Sequence, residues 1–260
     1  KTYFPRPEKN RFSQRQSVMA ARNYFDKHRP RNLNYLLEKR YKWLNKYLES
    51  RTRIIELGCG PGFGSYFYEK QVVFTDIEKH PWVDEKVDAL NLPYEDDSVD
   101  AFICQNLLHH VAQPKKLLED MQRKLKRGGC VLIQEPELSI SLKLLLMATR
   151  QEGWSDEIDV FDDDQICNDP EDSWSANNGI ATYLFRDEKT FRENISGYNI
   201  RKNALEEFFI FLLSGGVIIH RKTVNLPKCF LDIIYRLDHL LIKLAPNMFA
   251  LARLVVLEKI

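Results

Sequence analysis

A glycine-rich turn that directly follows a short apolar run restricts the possible folds of this chain more than any other feature. The run occupies residues 53–57 (RIIEL), and glycines follow at positions 58, 60, 62 and 64. Apolar runs that stop at such a turn are typical of buried parallel strands. Because glycine has no Cβ atom, the chain can turn tightly there and bring backbone N–H groups close to a ligand. The sequence therefore predicts a buried strand that ends in a ligand-binding loop.

Three more short apolar runs follow, at residues 72–76, 99–104 and 130–135. Residues 114–127 are predicted to form a helix, since proline stands in the first turn and Gly128 and Gly129 follow the end. Strands that alternate with helices form a parallel sheet with right-handed crossovers, so we expect a doubly wound α/β fold. Two further strands are predicted, one within residues 196–209 and one over 252–258, the last of the sheet.

The N-terminal part is strongly basic. Residues 1–53 contain 15 Lys and Arg but only four Asp and Glu, in a chain whose net charge is +1. We expect a loose arm over residues 1–12 and two helices over 13–27 and 32–49, which together form an N-terminal helical cap over residues 1–52. Clustered cations can bind nucleic acid, but a solvated face, or a lid that meets the acidic segment 151–172, explains them better.

Residues 53–260 are predicted to form one domain with two insertions. The first covers residues 151–172, which hold ten acidic and no basic residues. The second is helical and covers residues 206–247; within it, residues 226–244 place apolar side chains on one broad helical face. Core packing or a dimer contact explains this face better than a membrane surface, which stays the alternative.

Composition bears on the cellular compartment, on membrane spans and on metal binding. The five cysteines have no metal-binding spacing, which is typical of reduced thiols and predicts a cytoplasmic protein. No signal peptide is visible, and the longest apolar stretch, residues 208–219, is too short and too interrupted to span a bilayer. We expect no metal: the acidic run Asp162 to Asp164 is of the kind that usually stays solvated.

Two acidic residues give the glycine-rich turn a more specific meaning. Glu56 precedes the turn, where a carboxylate can receive the ammonium group of an amino acid. Asp76 ends the next strand, twenty residues on, where it can accept hydrogen bonds from both hydroxyls of a ribose. The two carboxylates together predict a ligand that contains an amino acid and a nucleoside.

Several motifs in combination resemble the class I S-adenosylmethionine (SAM)-dependent methyltransferases. They are ELGCGPG at residues 56–62, the acidic strand end at 76, DALNLPYEDDSVD at 88–100, LHHV at 108–111 and LKRGG at 125–129. The most similar group is the small-molecule branch with a methyltransferase domain of the ubiquinone-biosynthesis type. The resemblance covers about residues 53–135.

This resemblance implies a Rossmann-like seven-stranded sheet in the order 3-2-1-4-5-7-6, with the last strand antiparallel. It also implies SAM as cofactor and S-adenosylhomocysteine as product. Glu56, Gly58 and Gly60 would hold the methionine part, Asp76 the ribose, and Asp88 and Ala89 the adenine edge, with Ile77 as an apolar wall. The predicted cofactor site is completed by Cys59, Gly62 and Gln105.

His109 and His110 are the candidates for the base. They follow the strand at 99–104, on the carboxyl edge where open α/β sheets bind ligands, and a base accelerates methyl transfer to a hydroxyl. The same pair occurs in sugar O-methyltransferases that resemble this chain, and Glu135 falls where those enzymes place an acidic partner. A purely structural role for both histidines is the alternative.

Trp174, Asn177 and Asn178 combine an aromatic ring with amides, which is typical of a sugar-binding edge, although a plain turn explains them equally well. From Trp174 onward the chain loosely resembles methyltransferases of polysaccharide gene clusters.

The sequence thus predicts methyl transfer from SAM to a hydroxyl of a sugar or glycan. The alternatives are methylation of a quinone, lipid or other small metabolite, and a non-catalytic SAM-binding or scaffold domain. A homodimer, or a place in a larger multidomain chain, fits the same sequence.

Overall fold

The computed structural model describes residues 2–4, 18–150, 152–172, 174–218 and 223–260. Most of the predicted arm over residues 1–12, and the first part of the helix predicted over 13–27, lie outside these described residues.

A seven-stranded sheet forms the centre of the molecule. Its strands lie in the order β4-β3-β2-β5-β6-β9-β8, and β9 is antiparallel to both of its neighbours. Counted within the sheet alone, this is the predicted order 3-2-1-4-5-7-6. The strands are β2 (Ile54–Leu57), β3 (Val73–Asp76), β4 (Glu85–Lys86), β5 (Val99–Gln105), β6 (Leu125–Pro136), β8 (Tyr198–Glu206) and β9 (Ala252–Lys259). A separate antiparallel pair joins β1 (Thr2–Tyr3) to β7 (Trp154–Ser155).

The described helices connect these strands and cover the sheet. They are α1 (Val18–His28), α2 (Arg31–Leu48), α3 (Gly64–Phe67), α4 (Pro114–Lys124), α5 (Ile140–Thr149), α6 (Ile180–Phe185), α7 (Glu188–Asn194), α8 (Phe209–Ser214), α9 (Lys228–Leu244) and α10 (Pro246–Phe249). A short 3-10 helix, Leu108–His110, follows β5. The chain passes from α4 directly into β6, so residues 125–127, predicted as helix, are strand. No described helix has the length and apolar character that a bilayer span requires.

The central strands are buried on both faces, which explains why their sequences are continuously apolar. In β5, Phe102 and Cys104 belong to one core cluster, whereas Ala101 and Ile103 belong to another. Helices α4, α6 and α7 cover the first face, and α2, α8 and α9 cover the second. A third cluster joins α5 to the end of α9. The result is a three-layer α/β/α domain with its core on both sides of the sheet.

Helix α2 packs directly on the sheet. A buried ion pair fixes it: the Arg40 guanidinium donates to both carboxylate oxygens of Glu207, just after β8, at 2.8 and 2.7 Å. Among the described ion pairs, those of α1 and α2 do not involve the acidic segment, whose ion pairs include those with Lys115 and Lys143. The start of the N-terminal arm does contact that segment, because β1 pairs with β7 and Thr2 Oγ1 donates to Glu157 at 2.7 Å.

The apolar face predicted for helix α9 is only partly in the core. Core packing is wrong for five of its side chains, which are exposed: Phe230, Ile233, Leu237, Leu240 and Leu244. A dimer contact at this face stays a prediction. The buried face contains Leu231, Asp238 and Ile242 instead. Asp238 accepts hydrogen bonds from the backbone N–H groups of Phe208, Phe209 and Ile210, each at 3.0 Å, and this fixes how the helix is rotated.

Candidate active site

The glycine-rich loop leaves β2 with a backbone that only glycine adopts easily. Gly58 and Gly62 both have a φ of +64°, in the left-handed region. A Cβ atom at Gly62 would lie 2.2 Å from the Trp82 ring, and one at Gly58 would lie 2.7 Å from Leu107. Both close approach and backbone conformation therefore require glycine here.

Glu56 is a buried carboxylate with an oxygen left over. Its Oε1 accepts a hydrogen bond from Gln105 Nε2 at 3.1 Å, whereas Oε2 has no hydrogen-bond partner among the described residues. Burial raises the pKa of Glu56 to about 8, although the neighbouring Gln105 amide and Tyr68 hydroxyl act to lower it. A buried carboxylate of this kind is completed by a cation. The predicted partners Glu56 and Gln105 thus lie together at the end of β2 and β5.

Asp76 lies across the loop from Glu56, at the end of β3. Its Oδ2 accepts from the backbone N–H of Gly60 at 2.9 Å, and its Oδ1 accepts from Glu78 N–H at 3.0 Å. The Ile77 side chain beside it is half exposed, at 52%. Each carboxylate oxygen keeps a further lone pair, so the carboxylate can still accept ribose hydroxyls.

The remaining predicted cofactor residues lie at the same edge of the sheet. Asp88 follows β4 and accepts from Leu90 N–H at 2.9 Å, and Ala89 packs against the first core cluster. Cys59 is buried and donates its backbone N–H to the Thr75 carbonyl, which ties the loop to β3. Burial raises the pKa of the Cys59 thiol well above its usual range, so it stays neutral.

Two residues missed by the sequence reasoning hold the loop from outside. Trp82 Nε1 donates to the Gly60 carbonyl at 2.8 Å. Arg22, on α1, donates to the Gly62 and Pro61 carbonyls at 2.7 and 3.1 Å, and its guanidinium lies over the Trp82 ring. No local pattern marks these residues, since Arg22 belongs to a helix far away in sequence and Trp82 to irregular chain.

The predicted base and its acidic partner are in direct contact. His109 Nδ1 lies 2.5 Å from Glu135 Oε2, and both side chains are buried. The Glu135 carboxylate also accepts the backbone N–H groups of Leu107 and Leu108 at 2.6 and 2.8 Å. Burial opposes a charge on His109, but the carboxylates of Glu135 and Glu152 outweigh it and raise the pKa of the imidazole. His109 Nε2 lies 3.9 Å from Glu152.

His110 differs from His109 in its hydrogen-bond partner and in the direction of its pKa shift. Its Nδ1 lies 2.9 Å from the Ser175 carbonyl, and its ring stacks at a tilt on His109, with 4.1 Å between ring centroids. Burial and the neighbouring charge of His109 lower its pKa. The pKa values of the two histidines therefore shift in opposite directions, and His109 is the more basic.

The loop of Trp174, Asn177 and Asn178 borders this pair. Asn177 donates its backbone N–H to the His109 carbonyl at 2.8 Å, and Asn178 Nδ2 donates to Glu152 at 3.1 Å. Both amides are buried, which gives them a loop-supporting role, but Asn177 Nδ2 has no partner among the described residues. Sugar binding by this loop stays a prediction.

One group of side chains has the ligand types of a metal site. Ligand atoms of His109, His110 and Glu152 all lie within 4.8 Å of one another. Asp162 and Asp163 do not form such a group, since Asp162 accepts from Asp164 N–H and Gln165 within its own turn and Asp163 pairs with Lys115.

Comparison with known proteins agrees with this geometry. Residues 55–133 match a family model described as a methyltransferase domain. The structure superposes on that of a SAM-dependent methyltransferase from Archaeoglobus fulgidus with a TM-score of 0.54 and 15% identity, over 91% of this chain and 98% of the other.

Curated relatives match the same region. The thiol S-methyltransferase TMT1B of Rattus norvegicus is 28% identical over 37% of this chain and 49% of its own. The uncharacterized protein MJ1123 of Methanocaldococcus jannaschii is 40% identical over 32% of this chain and 44% of its own. This chain spans about half the length of these relatives or less.

The chain thus has the fold of a SAM-dependent methyltransferase and contains a methyltransferase domain. The matched family model places the methyltransferase domain in the part of the chain that contains β2 to β6. The prediction of the fold class is thereby confirmed.

Proposed function

We propose that this chain transfers the methyl group of SAM to a hydroxyl of a sugar or glycan, with His109 as the base. The observation that carries the proposal is the buried His109–Glu135 pair, because it lies at the same sheet edge as Glu56 and the glycine-rich loop. A site that only bound SAM would have no use for a base held this firmly.

The residues at the loop fit SAM part by part. Glu56, with its free oxygen, would hold the ammonium group of the methionine part. Asp76 would hold the ribose hydroxyls, and the exposed Ile77 side chain would offer an apolar surface to the adenine. When bound, SAM supplies a methyl group on a positively charged sulfur.

The protein supplies orientation and a proton acceptor. Glu135 accepts from His109 Nδ1–H, so the lone pair of Nε2 is available to the acceptor. His109 would take the proton of the acceptor hydroxyl as its oxygen bonded to the methyl carbon, and the carbon–sulfur bond would break to release S-adenosylhomocysteine. The imidazolium that results is stabilised by the adjacent Glu135 carboxylate, an arrangement that is typical of base catalysis.

The choice of a sugar is supported by the polar chain beside the histidines. Trp174 offers a ring, and the unpartnered Asn177 Nδ2 offers a donor. A thiol is the second candidate acceptor, favoured by the resemblance to a thiol S-methyltransferase. The same base serves both acceptors, since a thiol also needs to lose its proton.

We place the reaction in the cytoplasm, because all five cysteines are free.

The test is methyl transfer from tritiated SAM to a panel of sugars, glycans, thiols and quinones. His109→Ala should lower kcat about 10²–10⁴-fold, with SAM affinity by calorimetry unchanged. Glu135→Gln should shift the acid limb of the pH–rate profile to lower pH, because it removes the charge that raises the His109 pKa.

His110→Ala is the matched control. Equal turnover of His109→Ala and wild type on the best acceptor would remove the base from the mechanism.

A further inference from the structure

Two helices expose apolar stripes on the outer side of one core cluster. On α9 the stripe contains Phe230, Ile233, Leu237, Leu240 and Leu244, which are 41–72% exposed. On α5 it contains Ile140, Leu144 and Met147, which are 51–62% exposed. The opposite side of α5 and the C-terminal part of α9 pack into the third core cluster, and the N-terminal part of α9 packs into the second. We call these eight residues the apolar surface. The five side chains on α9 recur every three or four residues and so form one continuous stripe. An exposed apolar stripe of this kind marks an interaction site.

The rotation of α9 is fixed, so the stripe cannot turn inward. Asp238 accepts three backbone N–H groups from the start of α8, and Leu231 and Ile242 pack on either side of it. A roll of the helix that buried Ile233 or Leu240 would expose these packed residues and leave a buried carboxylate without its donors. The exposure therefore belongs to the folded state.

The charges around the stripe are predominantly positive. Arg236 and Lys243 are exposed, and their spacing of seven residues places both along one edge of the stripe. Of the two carboxylates on α9, Asp238 is buried, and Asp232 accepts from Tyr35 OH at 2.6 Å and lies 3.8 Å from Lys39. Asp238 is thus buried, whereas the Asp232 side chain is 43% exposed. The three exposed cations of α9, Lys228, Arg236 and Lys243, outnumber this one exposed carboxylate.

We propose that the apolar surface rests on an anionic lipid bilayer, with the stripe among the acyl chains and Arg236 and Lys243 at the headgroups. An exposed apolar face with a basic border is the composition of a helix that lies in the membrane interface. A second copy of the chain is the rival occupant, but a twofold contact would bring two outwardly positive helices together.

The position of α5 relates this surface to the reaction. Ser139 accepts from Leu142 N–H at the start of α5, three residues after β6 ends at Pro136, so Ile140 follows closely after Glu135. Because α5 follows the end of β6 after residues 137–139, a bilayer on α5 would meet the chain shortly after Glu135. This placement favours an acceptor attached to lipid. This consequence rests on the proposed function; the contact with the bilayer does not.

The test is co-sedimentation with vesicles of phosphatidylcholine alone and of phosphatidylcholine with about one-third phosphatidylglycerol. Wild type should bind the anionic vesicles, and less so at high salt. Replacement of Arg236 and Lys243 by Gln should weaken this binding about tenfold or more. The pair Ile233→Ser and Leu237→Ser should weaken binding to at least the same extent. Ile166→Ser is the matched control, since Ile166 is 58% exposed on the acidic segment.

Calorimetry with SAM on every variant separates this proposal from the proposed function, because vesicle binding does not require the cofactor. The bilayer proposal is overturned if wild type stays in the supernatant with anionic vesicles, or if the Ser pair binds like wild type. A wild-type dimer that the Ser pair converts to a monomer, without vesicle binding, would assign the surface to a second copy. Protection of α9 amides from hydrogen exchange by vesicles would support the bilayer directly.

Discussion

SAM should bind more tightly as the pH rises from about 6 to about 8, because Glu56 must lose a proton to receive the ammonium group. Burial raises the pKa of Glu56 to about 8 without a ligand. Below that pH the ionised fraction falls about tenfold per unit. The ammonium group of SAM itself titrates near 8, so the affinity for SAM stops rising at about that pH. Together the two titrations give roughly a 20-fold tighter Kd at about pH 8 than at about pH 6.

Titration calorimetry in two buffers of different ionisation enthalpy measures both the affinity and the protons released. Close to one proton per SAM should leave the protein at about pH 6.5. Glu56→Gln is the control, because it keeps the shape but cannot ionise. It should lose roughly 10–150-fold in affinity at about pH 8, the worth of a charge-assisted hydrogen bond, and should release no proton.

The SAM-free protein offers a second readout with a defined sign. The folded pKa of Glu56 lies above its unfolded value of 4.5, so the folded state holds the proton more tightly. Stability is therefore lost as the pH rises from about 4.5 to about 8, by as much as a few kcal/mol. Glu56→Gln should melt higher than wild type at about pH 8 and should lack this loss. Identical pH profiles of SAM affinity in the two proteins would refute the reasoning.

Two further substitutions test the contacts that hold the site. Arg40→Met leaves the buried Glu207 carboxylate without its guanidinium, so thermal or urea unfolding should show a loss of about 3–5 kcal/mol; a loss below about 1 kcal/mol would contradict a buried ion pair. Gly62→Ala should weaken SAM binding at least about tenfold, because strain of roughly 1–2 kcal/mol at φ +64° adds to the clash with Trp82. Gly128→Ala is its control, with φ +73° and nothing within 4 Å of the added Cβ, and should bind SAM normally.

Local sequence determined the sheet and the cofactor loop. Strand β5 is apolar at every buried position because both of its faces are covered, and such a run can be read without a partner in view. Glu56 and Asp76 can be predicted for a similar reason: each lies at the end of a strand pattern, and parallel strands place their carboxyl ends at one edge. The order of the strands followed from family resemblance and agrees with the structure.

Only the tertiary structure determined which residues surround the sheet and the cofactor loop. Arg22 reaches the Gly62 carbonyl from a helix forty residues away, and no periodicity encodes such a contact. In α9 the apolar pattern correctly predicted a helix but not which face is buried. Three backbone N–H groups at the start of α8 require the Asp238 carboxylate, and this requirement turned the apolar stripe outward. Periodicity reports that an apolar face exists, whereas its burial depends on which partners the rest of the fold supplies.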